Sequence, residues 1–117
     1  MKLPGPDHPI TITPFAGRVR VRMGAQAIAD TSHALSLAEA SWPAVLYLPR
    51  ADVHMSAFTR SSHRTYCPYK GDASYFDVGD VKNAAWSYET PYPAMAAIGS
   101  YLAFYPDKVT IERLPPG

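Results

Sequence analysis

Twelve prolines are spread along 117 residues, at the two ends and then at Pro43, Pro49, Pro68, Pro91, Pro93 and Pro106. Proline inside a helix removes a hydrogen bond and clashes with the preceding turn, so only short segments fit between these breaks. Within the segments apolar residues recur at every second position, the period that places alternate side chains on opposite faces of a strand. A mainly β chain is the expectation. Its size of 12.8 kDa and its 47% apolar against 18% charged residues point to one folded domain over residues 1–117, with ragged ends at 1–8 and 114–117.

Val19, Val21 and Met23 alternate with Arg18, Arg20 and Arg22, and Gly24-Ala25 turns the chain into Gln26 to Asp30, which reads as a hairpin with one basic face. Leu35 and Leu37 alternate with Ser36 and Ala38. The almost wholly apolar run Ala44 to Leu48 reads as a strand buried on both faces. After a turn at Arg50 to Val53, five further short strands are expected at Met55 to Arg60, Arg64 to Pro68, Ala73 to Val78, Asn83 to Tyr88 and Val109 to Arg113. Helix formers and apolar residues from Ala94 to Leu102, with Thr90 as a cap and Pro91 at the first position, predict one short helix over 91–101.

The net charge is +1, and no run of Lys or Arg exceeds the alternating arginines, which argues against nucleic-acid and membrane partners. That arginine stripe reads as the wet face of an edge hairpin rather than a phosphate site. Cys67 is the only cysteine, so there is no internal disulfide and no Cys-x-x-Cys knuckle. His8, His33 and His54 lack a second ligand at a diagnostic spacing. No metal and no cofactor is expected. A reducing cytoplasm is the expected location, since no signal peptide and no apolar run of membrane-spanning length is visible.

The run His63-Arg64-Thr65-Tyr66-Cys67-Pro68-Tyr69-Lys70-Gly71, with Ala73-Ser74-Tyr75, Ala85-Trp86-Ser87-Tyr88 and Phe104-Tyr105-Pro106, resembles the signature of the domain of unknown function 427 family. His8-Pro9-Ile10, Ala29-Asp30-Thr31, Tyr47-Leu48-Pro49-Arg50 and Pro91-Tyr92-Pro93 are similar to its other blocks, so the likeness covers nearly the whole chain. The resemblance implies two antiparallel sheets packed as a small β-tent or Mss4-like domain, or an open barrel, around a partly open cavity. Relatives of that fold often hold zinc through paired cysteines, which this chain lacks. The family also carries a nucleotidyltransferase label. Asp72, Asp77 and Asp80 show no closely spaced carboxylate pair for Mg²⁺, and there is no glycine-rich phosphate loop, so the residues do not support it.

The central block holds the densest chemistry. Along a strand Arg64, Tyr66 and Pro68 face one side while His63, Thr65, Cys67 and Tyr69 face the other. Cys67 and His63 share a face yet lie roughly 13 Å apart unless the strand is bulged. Cys67 is a candidate thiolate nucleophile with His63 as base, or alternatively a small buried apolar group. Lys70 and Arg64 can place an anionic or polar group, while Tyr66, Tyr69, Tyr75, Trp86 and Tyr88 can form an aromatic wall or else simply core. Glu89 is the nearest carboxylate for general-base work, though a carboxylate beside a proline turn is commonly just solvated. The leading expectation is a small-molecule-binding domain whose ligand is held by Arg64, Tyr66, Tyr69, Lys70, Tyr75, Trp86 and Tyr88. The alternatives are an enzyme acting through Cys67, His63 or Glu89, and a homodimeric interaction module.

Overall fold

A computed structural model describes residues 1–116. It is mainly β, as the proline spacing and period-two pattern require. Ten strands run in order as β1 (Ile10–Pro14), β2 (Arg18–Met23), β3 (Gln26–Thr31), β4 (Leu35–Glu39), β5 (Val45–Tyr47), β6 (Phe58–Cys67), β7 (Gly71–Val78), β8 (Val81–Ser87), β9 (Ala103–Phe104) and β10 (Thr110–Leu114). They form three antiparallel sheets of order β1-β4-β5, β10-β2-β3 and β6-β7-β8-β9, where two sheets were expected. The third sheet arises because β10 returns along β2, pairing Ile111 with Val21, instead of extending the sheet of β8. Among the described residues no sheet closes into a barrel. No helix among the described residues is long and apolar enough to cross a membrane.

The expected hairpin is β2-β3, and its arginines are all engaged. Arg18 reaches Asp30 at 2.6 Å, and Arg20 and Arg22 reach Glu112 at 2.8 and 3.0 Å. The expected helix over 91–101 is instead a shorter 3₁₀ segment, Pro93–Ile98, with Tyr92 rather than Thr90 before it and Pro93 rather than Pro91 at its start. Met95 leaves helical angles at φ −110°, ψ 16°, so the run from Ala94 never completes an α turn sequence. Met95 and Ile98 are nonetheless buried, because the segment serves as a lid of apolar side chains over β7 and β8.

The four-stranded sheet divides the interior in two. On one face Phe76, Val78 and Ala85 join Val19, Val21, Ile28, Leu46, Leu48, Leu102 and Phe104 in the main core. On the other, Ala73 and Tyr75 meet Leu37, Tyr47, Tyr88, Met95 and Ile98 in a second, aromatic cluster. The β1-β4-β5 sheet covers that second cluster and is tied to the four-stranded sheet by reciprocal backbone hydrogen bonds of 2.8 Å between Leu48 and Leu102.

Gly17 fixes the entry to β2. Its φ of +139° lies where side chains are strained, and a Cβ there would sit 2.5 Å from the Leu114 carbonyl oxygen. Gly17→Ala therefore strains the backbone and pushes β10 off β2, at a cost of roughly 3 kcal/mol that a lowered urea midpoint reports.

Candidate functional site

The loop Pro68-Tyr69-Lys70 closes the β6-β7 hairpin, with Cys67 paired to Gly71 across its base. Gly71 takes φ +106°, a conformation that glycine adopts freely, and this folds the loop back over the aromatic cluster. The Tyr92 backbone N–H donates to the Lys70 carbonyl at 3.0 Å and pins the loop to the 3₁₀ segment. Lys70 points inward as a result and is only 6% exposed.

Its amino group donates to Glu39 Oε1 at 2.5 Å, lies 3.9 Å from Cys67 Sγ, and sits 5.9 Å from the centre of the Tyr88 ring. Glu39, at the end of β4, is 8% exposed. Its second oxygen, Oε2, is 2.7 Å from His8 Nε2, because β1 pairs with β4 in the register Ile10 to Glu39 and so brings His8 alongside. The His8 ring is stacked on Tyr69 at 4.2 Å and meets Trp42 edge-on at 6.0 Å. Burial pushes the Glu39 carboxyl up, but the hydrogen bonds and charges of Lys70 and His8 outweigh it and leave the group below its ordinary range.

A cavity of about 260 Å³ opens beside this chain of groups. Lys70 and Glu39 stand in its wall, with Trp42, Tyr47, Tyr75, Trp86, Tyr88 and Tyr105 supplying aromatic surface. Trp86 Nε1 donates to the Tyr47 hydroxyl at 3.4 Å, and the Trp86 and Tyr105 rings lie 4.6 Å apart. Burial raises the Tyr47 and Tyr88 phenols and lifts Tyr105 to about 12, so all three are neutral hydrogen-bonding groups at physiological pH. A larger groove of about 580 Å³ lies on the other side of Trp86, between β5 and β10, and carries mostly apolar residues with Arg113 and Thr110.

Of the residues singled out from sequence, Lys70, Tyr75, Trp86 and Tyr88 are brought together at the cavity. Tyr69 stands behind it, stacked on His8. Tyr66 is 56% exposed and shares a 2.7 Å hydroxyl contact with Tyr92, and Arg64 is exposed, so neither lines the cavity. His63 packs against Tyr75 with ring centres 4.5 Å apart, while the charged neighbour of Cys67 is Lys70. His63 and Thr65, two positions apart on β6, both meet Tyr75, as the alternation of a strand requires, and the register of β6 against β7 shifts between Arg60 and Arg64. Sequence reading missed Glu39 and His8, and also Trp42, Tyr47 and Tyr105 in the cavity wall.

Glu89 lies outside the cavity lining, bound to Arg60 at 2.7 Å and Arg50 at 3.2 Å, with both guanidiniums over Phe76. The Arg60 hydrogen bond leads the opposing burial and holds the Glu89 carboxyl at about 2. A carboxylate this acidic is a poor proton acceptor near neutrality. A lowered folded-state value also sets a sign: the stabilisation is present above the ordinary 4.5 and is lost as pH falls towards about 2. Glu39 acts in the same direction. The melting temperature should therefore drop steeply across that window, and Glu89→Gln should flatten the drop while lowering stability at pH 7.

Among the described residues no group of three or more His, Cys, Asp or Glu side chains is placed to hold a metal ion. Asp77 is occupied at the β7-β8 turn, accepting from the Asn83 backbone N–H at 2.9 Å and facing Lys82.

Fold and site together define a small mainly β domain with an aromatic cavity anchored by a buried lysine-carboxylate pair. The chain belongs to the family described as domain of unknown function (DUF427), whose model matches residues 11–114. No curated protein matches it.

Proposed function

We propose that this domain binds a small, flat molecule in the cavity between the β1-β4-β5 sheet and the four-stranded sheet. The observation that carries the reading is the buried Lys70–Glu39 pair opening onto a cavity walled by six aromatic rings. Burying two charges is costly, and a fold that needed only a core would be served as well by apolar side chains there. Aromatic faces supply stacking area, and the pair supplies one donor and one acceptor to orient a ligand. Because Glu39 already balances Lys70, the cavity favours a polar group over a strongly anionic one.

Both tryptophans of the chain, Trp42 and Trp86, line the cavity, so occupancy reads out directly as a change in intrinsic fluorescence. Trp42 is 62% exposed and can be removed with little harm to the fold. A thermal-shift screen against metabolites rich in small flat polar compounds, with nucleotides and sugar phosphates as the anionic comparison, should yield uncharged aromatic compounds that raise the melting temperature and quench fluorescence. Their affinity should fall about tenfold in Trp42→Ala, from the loss of one stacking wall. Compounds that stabilise the protein without quenching, and equally in Trp42→Ala, would move the site elsewhere.

A further inference from the structure

We infer that Lys70 captures carbonyl compounds, its Nζ forming an imine with a small aromatic aldehyde held in the cavity and Glu39 acting as proton acceptor. This rests on the cavity being a ligand site and names the class of ligand and the chemistry. Lys70 differs from the other lysines in kind. Lys2 is exposed near the N-terminus, Lys82 is 78% exposed beside Asp77, and Lys108 holds the backbone oxygens of Lys82 and Asn83 at the surface. Among the described residues Lys70 alone presents its amine to the aromatic cavity, and at 6% exposure its nitrogen meets little water.

The proton path is built in. Glu39 Oε1 lies 2.5 Å from Nζ, while Oε2 is held by His8 at 2.7 Å, so the acceptor oxygen is fixed towards the amine. The ammonium passes one proton to Glu39, and the freed nitrogen lone pair attacks the carbonyl carbon. A C–N bond forms, the carbonyl π pair moves onto oxygen, and a second nitrogen proton passes to that oxygen to give the carbinolamine. Glu39 then returns its proton to the hydroxyl, which leaves as water while the nitrogen lone pair forms the C=N bond, so that ammonium plus aldehyde gives protonated imine plus water. His8 positions Glu39 and does not touch the reacting atoms. Tyr75, Trp86 and Tyr88 supply faces on which an aromatic ring can stack beside the amine.

Benzaldehyde with sodium cyanoborohydride at neutral pH tests this, because reduction of an imine leaves a stable benzyl mark that peptide mapping locates. Lys70 should be marked at least about tenfold faster than Lys82 or Lys108. Glu39→Gln should slow marking of Lys70 about a hundredfold and leave Lys82 and Lys108 as they were, and benzyl alcohol, which has no carbonyl, should quench the tryptophan fluorescence of the wild type. Should Glu39→Gln fail to fold, the wild-type pattern decides alone. Marking of Lys70 no faster than of the surface lysines overturns the imine chemistry. If benzyl alcohol quenches in that case, the cavity remains a binding site; if it does not, both readings fall.

Discussion

Lys70→Met lowers the melting temperature by roughly 10 °C, because breaking a buried ion pair by removing one partner costs about 3 kcal/mol or more and a domain of this size shifts by several degrees per kcal/mol. The loss does not come from packing, since Met fills most of the space that the lysine stem occupied. It comes from Glu39, which keeps its charge in a nearly dry position with only His8 beside it. The double change Lys70→Met with Glu39→Met removes both charges together and should regain most of the lost stability. Calorimetry on the two variants separates this electrostatic account from a simple requirement for lysine at the hairpin tip. Equal losses in the single and double variants would refute it.

Leu102→Ala costs about 3 to 4 kcal/mol, the range for emptying a fully buried leucine site that cannot collapse. Leu102 occupies the main core, and its backbone bridges Leu48, so its neighbours are held by two sheets at once and have little freedom to close a void. The urea midpoint should fall with little change in the slope of the transition, because the backbone bridge survives and the same surface is exposed on unfolding. A change below about 1 kcal/mol would mean that the two sheets move together to fill the space.

The β pattern was legible wherever one face is buried and the other wet. Val19 and Val21 against Arg18, Arg20 and Arg22 gave β2 and its turn, and the density of Tyr, Trp and Lys around 66–88 marked one wall of the cavity, with Lys70, Tyr75, Trp86 and Tyr88. Strand β1 went unread although Ile10 and Ile12 alternate with Thr11 and Thr13, because only four residues separate Pro9 from Pro14, and β9 because two residues carry no period. The helix failed for a local reason: Pro91 and Pro93 at one end and Gly99 at the other leave too few residues for an α-helix to form.

Glu39 did carry a signal. It continues the face of Leu35 and Leu37, so the alternation puts a carboxylate where an apolar residue belongs, and a charge in that position demands a partner. The partner itself could not be read from sequence. Lys70 and His8 each lie 31 residues from Glu39, and only the pairing of β1 with β4 and the fold-back of the hairpin loop bring the three together.

The N-terminal segment, read from sequence as ragged, is held by the Lys2 backbone N–H donating to the Pro68 carbonyl at 2.7 Å and by the contact of His8 with Glu39. The family match begins at residue 11, three positions beyond that histidine. A fragment trimmed to the family boundary would keep every strand but for Ile10, the first residue of β1, and would lose one of the two groups that hold Glu39, together with the tether on the loop that carries Lys70. The family match and the contacts that hold Glu39 thus start at different positions along this chain, and a domain cut by homology alone would leave the buried carboxylate with Lys70 as its one charged neighbour.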